Sequence, residues 1–386
     1  MDRRSFLRLT GGGVIAAATA TTLPGCSSTL PPEAIAAWQG PGNEPDVRRW
    51  ILAHAILAPH SHNLQSWLVD LSVPDEITLF IDRSRLLPET DPFSRQMMMS
   101  QGTFLELLDQ AARQKGLRAD ITLFPEGVFA PTTVDARPTA RVRLVADASV
   151  QADPLFAHVF NRRTNREAYE ARLPPAEALQ AIASSTAGAA WRTGFVTTEQ
   201  ADAMAQHRRI AKEAWRIELT TPRTVLESFK VLRVGPREIA QHRDGISLND
   251  PMVRAITALG LFDRTVAPAP DDQATTGQIN EFNAHIDGTP AFYWLVTEGN
   301  DRVTQVNAGR AWVRAQLAAT AQGLSMQPIS QALQEYPEVA VPYREIHEQV
   351  GAPAPRFTVQ MWARLGFAPT IQPSPRRGLD AHIVKA

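Results

Sequence analysis

Two short stretches hold most of the residues able to bind a polar partner. The first is His60-Ser61-His62-Asn63-Leu64-Gln65-Ser66-Trp67, which sets hydroxyls, imidazoles and two side-chain amides side by side. Such a set can make several directed hydrogen bonds to one partner. That partner is either a ligand or the loop's own backbone, as in a well-satisfied turn, and the residue types leave both open. The second stretch is Asn161-Arg162-Arg163-Thr164-Asn165-Arg166. Guanidinium groups bind phosphate through paired hydrogen bonds, and Thr164 adds a hydroxyl. The same cations also suit the C-terminal end of a helix, where the dipole favours positive charge. Spacing alone does not separate the two.

Other chemistries lack their residues. The chain has no G-x-S-x-G, no P-loop and no G-x-G-x-x-G. His54, His60 and His62 have no carboxylate or thiol near them in sequence, so no metal site is expected. A formal net charge of -1 over 386 residues gives no basic field for nucleic acid. The single cysteine, Cys26, excludes an intrachain disulfide.

The elements that must position these stretches follow from periodicity and breakers. A helix runs from an Asp46 N-cap through Val47, Trp50, Ile51 and Leu57 and stops at Pro59. The run 67–71 reads as a strand, with 77–81 as its hairpin partner. A long helix is expected over about 94–114, with Gly102 permitting close approach and Met97-Met98-Met99 as adaptable core packing. Strands are expected at 121–124 and 140–145. Asp153-Pro154 starts a helix whose end carries the Arg cluster. Helices are expected over 200–219, 225–234 and 252–262, then a polar linker over 267–277. A buried strand at 291–297, a helix over 309–321 and an alternating strand over 357–367 close the pattern. Arg364 on that strand has two readings, a phosphate contact or a solvated edge residue.

Four segments resemble the nitroreductase family of FMN flavoproteins. "LAHAILAPHSHNLQSW" resembles its A-P-S-x-x-N-x-Q-P-W loop, most nearly the Acg-type branch, in which a His precedes the Asn. His60 stands where the family's first Ser is usual and Ser66 where it has Pro, and loss of the Pro predicts a less rigid loop. "NRRTNREAYEARLPPAEAL" resembles the R-R-S-x-R motif that holds the flavin phosphate and ribityl chain. "NAGRAWVRAQLAATAQGLSMQPISQAL" resembles the helix and loop that run along the flavin ring, and 357–367 resembles the closing strand.

The resemblance implies an α+β, nitroreductase-like fold, a mixed or antiparallel sheet flanked by helices. It implies an FMN site made of Arg162, Arg163, Thr164 and Arg166, of Ser61, His62, Asn63, Gln65 and Trp67, and of Ser325, Met326, Gln327 and Pro328. No side chain is assigned a catalytic role, since the flavin accepts and donates hydride itself. In a single family domain the Arg motif precedes the Asn loop. Here the loop lies about 100 residues upstream. That order implies two fused halves, 46–150 with the loop and 151–370 with the Arg motif, forming an intramolecular pseudo-dimer. One FMN and a monomer follow. Residues 199–280 are read as a helical insertion that forms a lid, and 371–386 as a tail. The expected activity is reduction of nitro or quinone-type acceptors by NADH or NADPH. The alternatives are an FMN storage protein closed by its lid, and a flavin-free interaction protein.

The N-terminus carries a separate message. Arg3-Arg4-Ser5-Phe6-Leu7 matches the twin-arginine export pattern, and Leu23-Pro24-Gly25-Cys26 reads as a lipobox. Residues 1–26 are thus read as a signal, Cys26 as a lipidated anchor in the cell envelope or periplasm, and the Ser-, Pro- and Gly-rich 27–45 as a tether. Export would go through the twin-arginine machinery, and removal of 1–25 would bring the net charge to about -3.

Overall fold

The computed structural model describes residues 28–187 and 190–384. The signal and lipobox lie outside the described residues. Asp46 caps α1 (Val47–Ala55), its carboxylate accepting from the Arg48 N–H at 2.8 Å. β1 (Trp67–Asp70) pairs with β2 (Glu76–Ile81) in the register Trp67 to Ile81. Alternate residues Ile77, Leu79 and Ile81 point into the core, as the two-residue period requires. α2 (Arg95–Arg113), β3 (Leu117–Leu123) and β4 (Ala140–Ala146) complete an antiparallel sheet ordered β1-β2-β4-β3.

The second half starts at α3 (Ala176–Ser184) and β5 (Trp191–Thr197). An insertion follows, made of α4 (Ala201–Thr220), α5 (Pro222–Lys230), β6 (Leu232–Val234), α6 (Gly235–His242), β7 (Ile246–Leu248), α7 (Pro251–Ala258) and α8 (Gln273–Asp287). β6 and β7 form a small parallel pair. β8 (Ala291–Glu298), α9 (Arg302–Ala321), β9 (Ser325–Pro328), α10 (Ala340–Gln349) and β10 (Phe357–Gly366) then build a second antiparallel sheet, ordered β5-β8-β10-β9. Both halves follow one path: first, second, fourth, third strand, with a long helix after the second.

The two long helices cross at their glycines. A Cβ on Gly102 of α2 would lie 1.8 Å from the Val306 carbonyl oxygen, and one on Gly309 of α9 would lie 1.9 Å from that of Met99. The relation is reciprocal, because 102 and 99 correspond to 309 and 306 at one constant offset. The first residue of each helix extends the symmetry. Buried Arg95 donates to the Leu333 and Gln360 carbonyls of half two, and buried Arg302 donates to the Phe93, Ala130 and Thr133 carbonyls of half one. Val306, Val313 and Leu317 of α9 enter the core of half one, and Met99 of α2 enters that of half two. The expected fused pair is therefore a single interlocked body.

Several elements differ from the sequence reading for local reasons. The expected helix 225–234 runs instead from Pro222, which fits the first helical turn, to Lys230 and gives way to β6, and Gly235-Pro236 opens the next helix. The helix expected to reach Phe262 ends at Ala258, with Gly260 at φ +68°. α8 starts inside the expected linker, where the Asp272 carboxylate accepts from the Thr275 N–H. α9 starts at Arg302 rather than 309, capped by Asp301. Residues 32–39 are not a free tether. Ala34 is fully buried, its carbonyl accepts from the Arg376 N–H at 2.8 Å, and the Trp38 Nε1–H donates to the Ser374 carbonyl. The tail is packed as well: Val69 and Ile383 form a parallel bridge beside β1.

Gly102→Ala and Gly309→Ala should each destabilise the protein by about 3 kcal/mol, because backbone rather than a flexible side chain blocks the added carbon. Denaturant unfolding checks this. The double variant should cost less than the sum, since both changes spread the same crossing.

Candidate functional site

The loop after α1 is held in an unusual backbone. His62, Asn63 and Gln65 all have positive φ, at 49°, 54° and 54°. Such conformations cost about 1 kcal/mol or more each for residues with a Cβ, and they cluster at functional sites. What holds the loop is a bond between its two departures from the family pattern. Ser66 approaches His60 Nε2 twice, its Oγ at 2.7 Å and its N–H donating at 3.0 Å. His60 Nδ1 lies 2.7 Å from the Ser61 carbonyl, so the Nδ1–H tautomer satisfies the ring. The loop is therefore braced without the missing proline, and the expected loss of rigidity is corrected. Burial, and then the positive Arg376 and Arg377, push the His60 pKa down to about 3. Ser61 Oγ donates to Gln96 Oε1 on α2, and the Ser61 N–H donates to Ser100 Oγ.

The Arg motif of half two meets this loop. Arg162 is buried, donating from Nη2 to the Leu57 carbonyl at 3.0 Å and from Nη1 to Gln316 Oε1 on α9 at 3.1 Å. Gln316 Nε2 in turn donates to the Arg163 carbonyl and to Thr164 Oγ1. Thr164 bridges Met326, and Asn165 donates to the Met326 carbonyl and to Ser325 Oγ. Arg166 acts electrostatically on His62: burial and then the Arg166 charge lower the His62 pKa to about 4. Arg162, Arg163, Thr164, Arg166, Ser61, His62, Ser325 and Met326 thus come together at the seam between halves. Gln327 and Pro328 pair with Arg364 and Ala363 along β9 and β10. Trp67 is fully buried in the core of half one, its ring beside Phe104 and His60 and its Nε1–H donating to the Ser100 carbonyl. Arg364 is fully buried, donating to the Glu167 carbonyl and lying 4.1 Å from the Tyr169 ring centre, which excludes the solvated-edge reading.

Two residues that sequence reasoning missed complete the cluster. Arg376 lies with Arg162 and Arg163 around the Trp38 ring, at 5.3, 5.9 and 4.6 Å from its centre. Arg376 donates to the Ala58 carbonyl at 3.0 Å and to Asn63 Oδ1. Among the described residues, none of the three guanidinium groups has a carboxylate partner, and the Nε of each has no hydrogen-bond partner. Burial and the neighbouring Arg376 and Arg163 hold the Arg162 pKa well below its usual range. Burial and the Arg163 charge bring Arg376 down to about 9. Trp38 lay in the presumed tether and Arg376 in the presumed tail. The only signal was the paired Arg376-Arg377 itself.

Asn63 and Gln65 are covered. The Asn63 amide donates to the Pro375 carbonyl at 3.0 Å, and the Gly245 N–H donates to the Asn63 carbonyl. The Gln65 amide donates to the Arg243 carbonyl at 2.9 Å, and Gln65 Oε1 accepts from the Arg377 N–H. Asp244 fixes this part of the insertion through Arg85 and Arg233. Two surface cavities, of about 490 and 170 Å³, are lined by none of these side chains, though the smaller adjoins Trp38 and Arg377 through Ala37 and Gly378. Among the described residues no group of His, Cys, Asp and Glu is placed to hold a metal ion.

The chain is 27% identical over 341 residues to two Mycobacterium tuberculosis proteins, from strains CDC 1551 and H37Rv, each named "Putative NAD(P)H nitroreductase". The match spans 86% of this chain and 89% of theirs. The similarity therefore runs through both halves rather than through four motifs alone. No family model matches. Among solved structures, an FMN-dependent nitroreductase from Mycobacterium smegmatis in complex with NADPH aligns at 20% identity and a TM-score of 0.34, over 58% of this chain and 95% of that one. An FMN-bound nitroreductase from Desulfitobacterium hafniense aligns at 17% and 0.35, over 61% and 99%.

The buried imidazoles set an acid limit. His60 and His382 are held near 3, and His62, His207 and His347 near 4, in each case first by burial. Their unfolded pKa is 6.5, so below that the unfolded chain binds more protons and stability falls as pH drops towards 4. Asp91, raised to about 6, and Glu218, raised to about 7, act in the opposite sense over the same range. Five imidazoles outweigh two carboxyls. The melting temperature should fall between pH 6.5 and 4, as calorimetry will read.

Proposed function

We propose that this protein is an FMN-dependent oxidoreductase of the nitroreductase kind, carrying one flavin at the seam between its halves and using NADH or NADPH to reduce nitro or quinone-type acceptors. The observation that carries the reading is the cluster Arg162, Arg163 and Arg376, buried or half-buried and without a carboxylate. Such a cluster is stabilised by a bound dianion, and paired guanidinium contacts suit a phosphate. Thr164, fixed by Gln316, adds a hydroxyl, and the Trp38 ring faces the cations. The full-length similarity to nitroreductases supports the flavin phosphate as that dianion. When bound, FMN supplies hydride transfer through its N5, so no protein nucleophile is needed. The chain's own part is to hold the phosphate end, to keep His60 and His62 neutral, and to shield the seam from water. We further propose twin-arginine export and a lipid anchor at Cys26, on the sequence pattern described above.

A second reading has its own observation. Asn63 and Gln65, the expected ring contacts, are already bonded to the insertion and the tail. A flavin held under that cover would be stored rather than turned over.

Purified protein should be yellow and release about one FMN per chain. Arg162→Ala with Arg163→Ala should weaken FMN binding by roughly 100-fold, as loss of two charge-assisted contacts implies. Flavin identification by mass after denaturation checks both. Steady NADPH oxidation with a quinone separates the reductase from the store. Colourless protein that cannot be reconstituted with FMN contradicts both readings.

A further inference from the structure

The outer face of α7 has no polar surface. Met252, Ala255 and Leu259 recur at three- and four-residue spacing, and all are exposed, Met252 at 49% and Leu259 at 71%. Val253 and Ile256, on the flank next to Met252, pack into the insertion, and Leu259 is the C-cap of the helix. The apolar stripe is thus only half covered, and its outer half is left for a partner. Val266, 61% exposed, follows shortly after. Among the described residues no helix is long and apolar enough to cross a membrane, so contact here would be with a surface.

The N-terminal end of the described chain indicates which surface. The Thr29 carbonyl accepts from Asn249 Nδ2 at 3.0 Å. Asn249 lies two residues before α7, which starts at Pro251 under an Asp250 cap. The one-turn helix Pro32–Ile35 packs against α6 and continues this attachment. Cys26 precedes Thr29 by three residues, a span of at most about 11 Å when fully extended. If Cys26 carries a lipid, its bilayer lies within that span of Thr29, the residue that Asn249 holds. The packing of residues 32–39 fixes where Thr29 leaves the folded body.

We propose that α7, through Met252, Ala255 and Leu259, is a membrane-docking face that lies on the bilayer holding the Cys26 anchor. The inference rests on the lipid-anchor reading, and the test keeps the two apart. The full chain is produced in a host with twin-arginine export and lipoprotein processing. Mass analysis of the N-terminal peptide reports acylation of Cys26, whose modified thiol leaves an engineered cysteine free to be labelled alone.

An environment-sensitive dye is then placed at Leu259→Cys or at Gln322→Cys. Gln322 shares a cavity with Arg113, at the far end of α2 from Met97, which packs under the insertion. That separation is about 24 Å along the helix. In vesicles of phosphatidylethanolamine and phosphatidylglycerol with a lipid-borne quencher, the dye at 259 should be quenched at least about twofold more than that at 322. Equal quenching with Cys26 acylated overturns the docking face and leaves the anchor standing. If Cys26 is not acylated the anchor reading falls, and the face is judged by flotation of the full chain with the same vesicles. Loss of flotation by about tenfold in Met252→Asp with Leu259→Asp supports it. No flotation of the parent chain overturns it.

Discussion

The crossing of α2 and α9 at Gly102 and Gly309 is the contact on which the rest of the molecule depends. Each glycine lets a helix reach the backbone of the other at a distance no side chain allows. That approach makes Arg95 and Arg302 cross into the opposite half and lets each helix fill part of the other half's core. Two topologically equal halves become one interlocked body. The seam where the site lies is a consequence: the loop of half one and the Arg motif of half two meet only because the halves cannot separate.

At that seam electrostatics rather than shape marks the site. Arg162, Arg163 and Arg376 are held by carbonyls, an amide and the Trp38 ring, with no acid among the described residues to balance them. A buried cation without a counter-charge destabilises the fold, a cost that the anion proposed above would offset. The same strip of the molecule holds the covered Asn63 and Gln65. The cation cluster and the cover thus share the C-terminal tail: Arg376 serves the first and Pro375 and Arg377 the second.

Much of this was legible in the sequence where local chemistry decides. The Asp46 cap, the Trp67 hairpin, the helix with Gly102 at its centre, and the joining of the Arg motif to Ser325 and Met326 follow from pattern and resemblance. The two-half plan was legible from the order of the motifs, but the matched crossing was not, because the halves share a path and a few residues, Arg95 with Arg302 and Gly102 with Gly309, rather than a visible repeat. The packing of residues 32–39 and of the tail was hidden by composition. Proline- and serine-rich segments read as linkers, yet Trp38, Arg376 and His382 pin them through contacts more than 300 residues apart in sequence. The His60–Ser66 bond was missed for a different reason: each residue alone looks like a loss relative to the family, and only together do they replace the proline.

The most direct test of the account is a calorimetric comparison of FMN and riboflavin binding to flavin-free protein at one salt concentration. The two ligands share a ring and ribityl chain and differ in the phosphate. If the uncompensated arginines hold that phosphate, FMN binds once per chain and at least about 100-fold more tightly than riboflavin, and the gap shrinks as salt rises. Equal affinities for the two, or no binding of either, would contradict it.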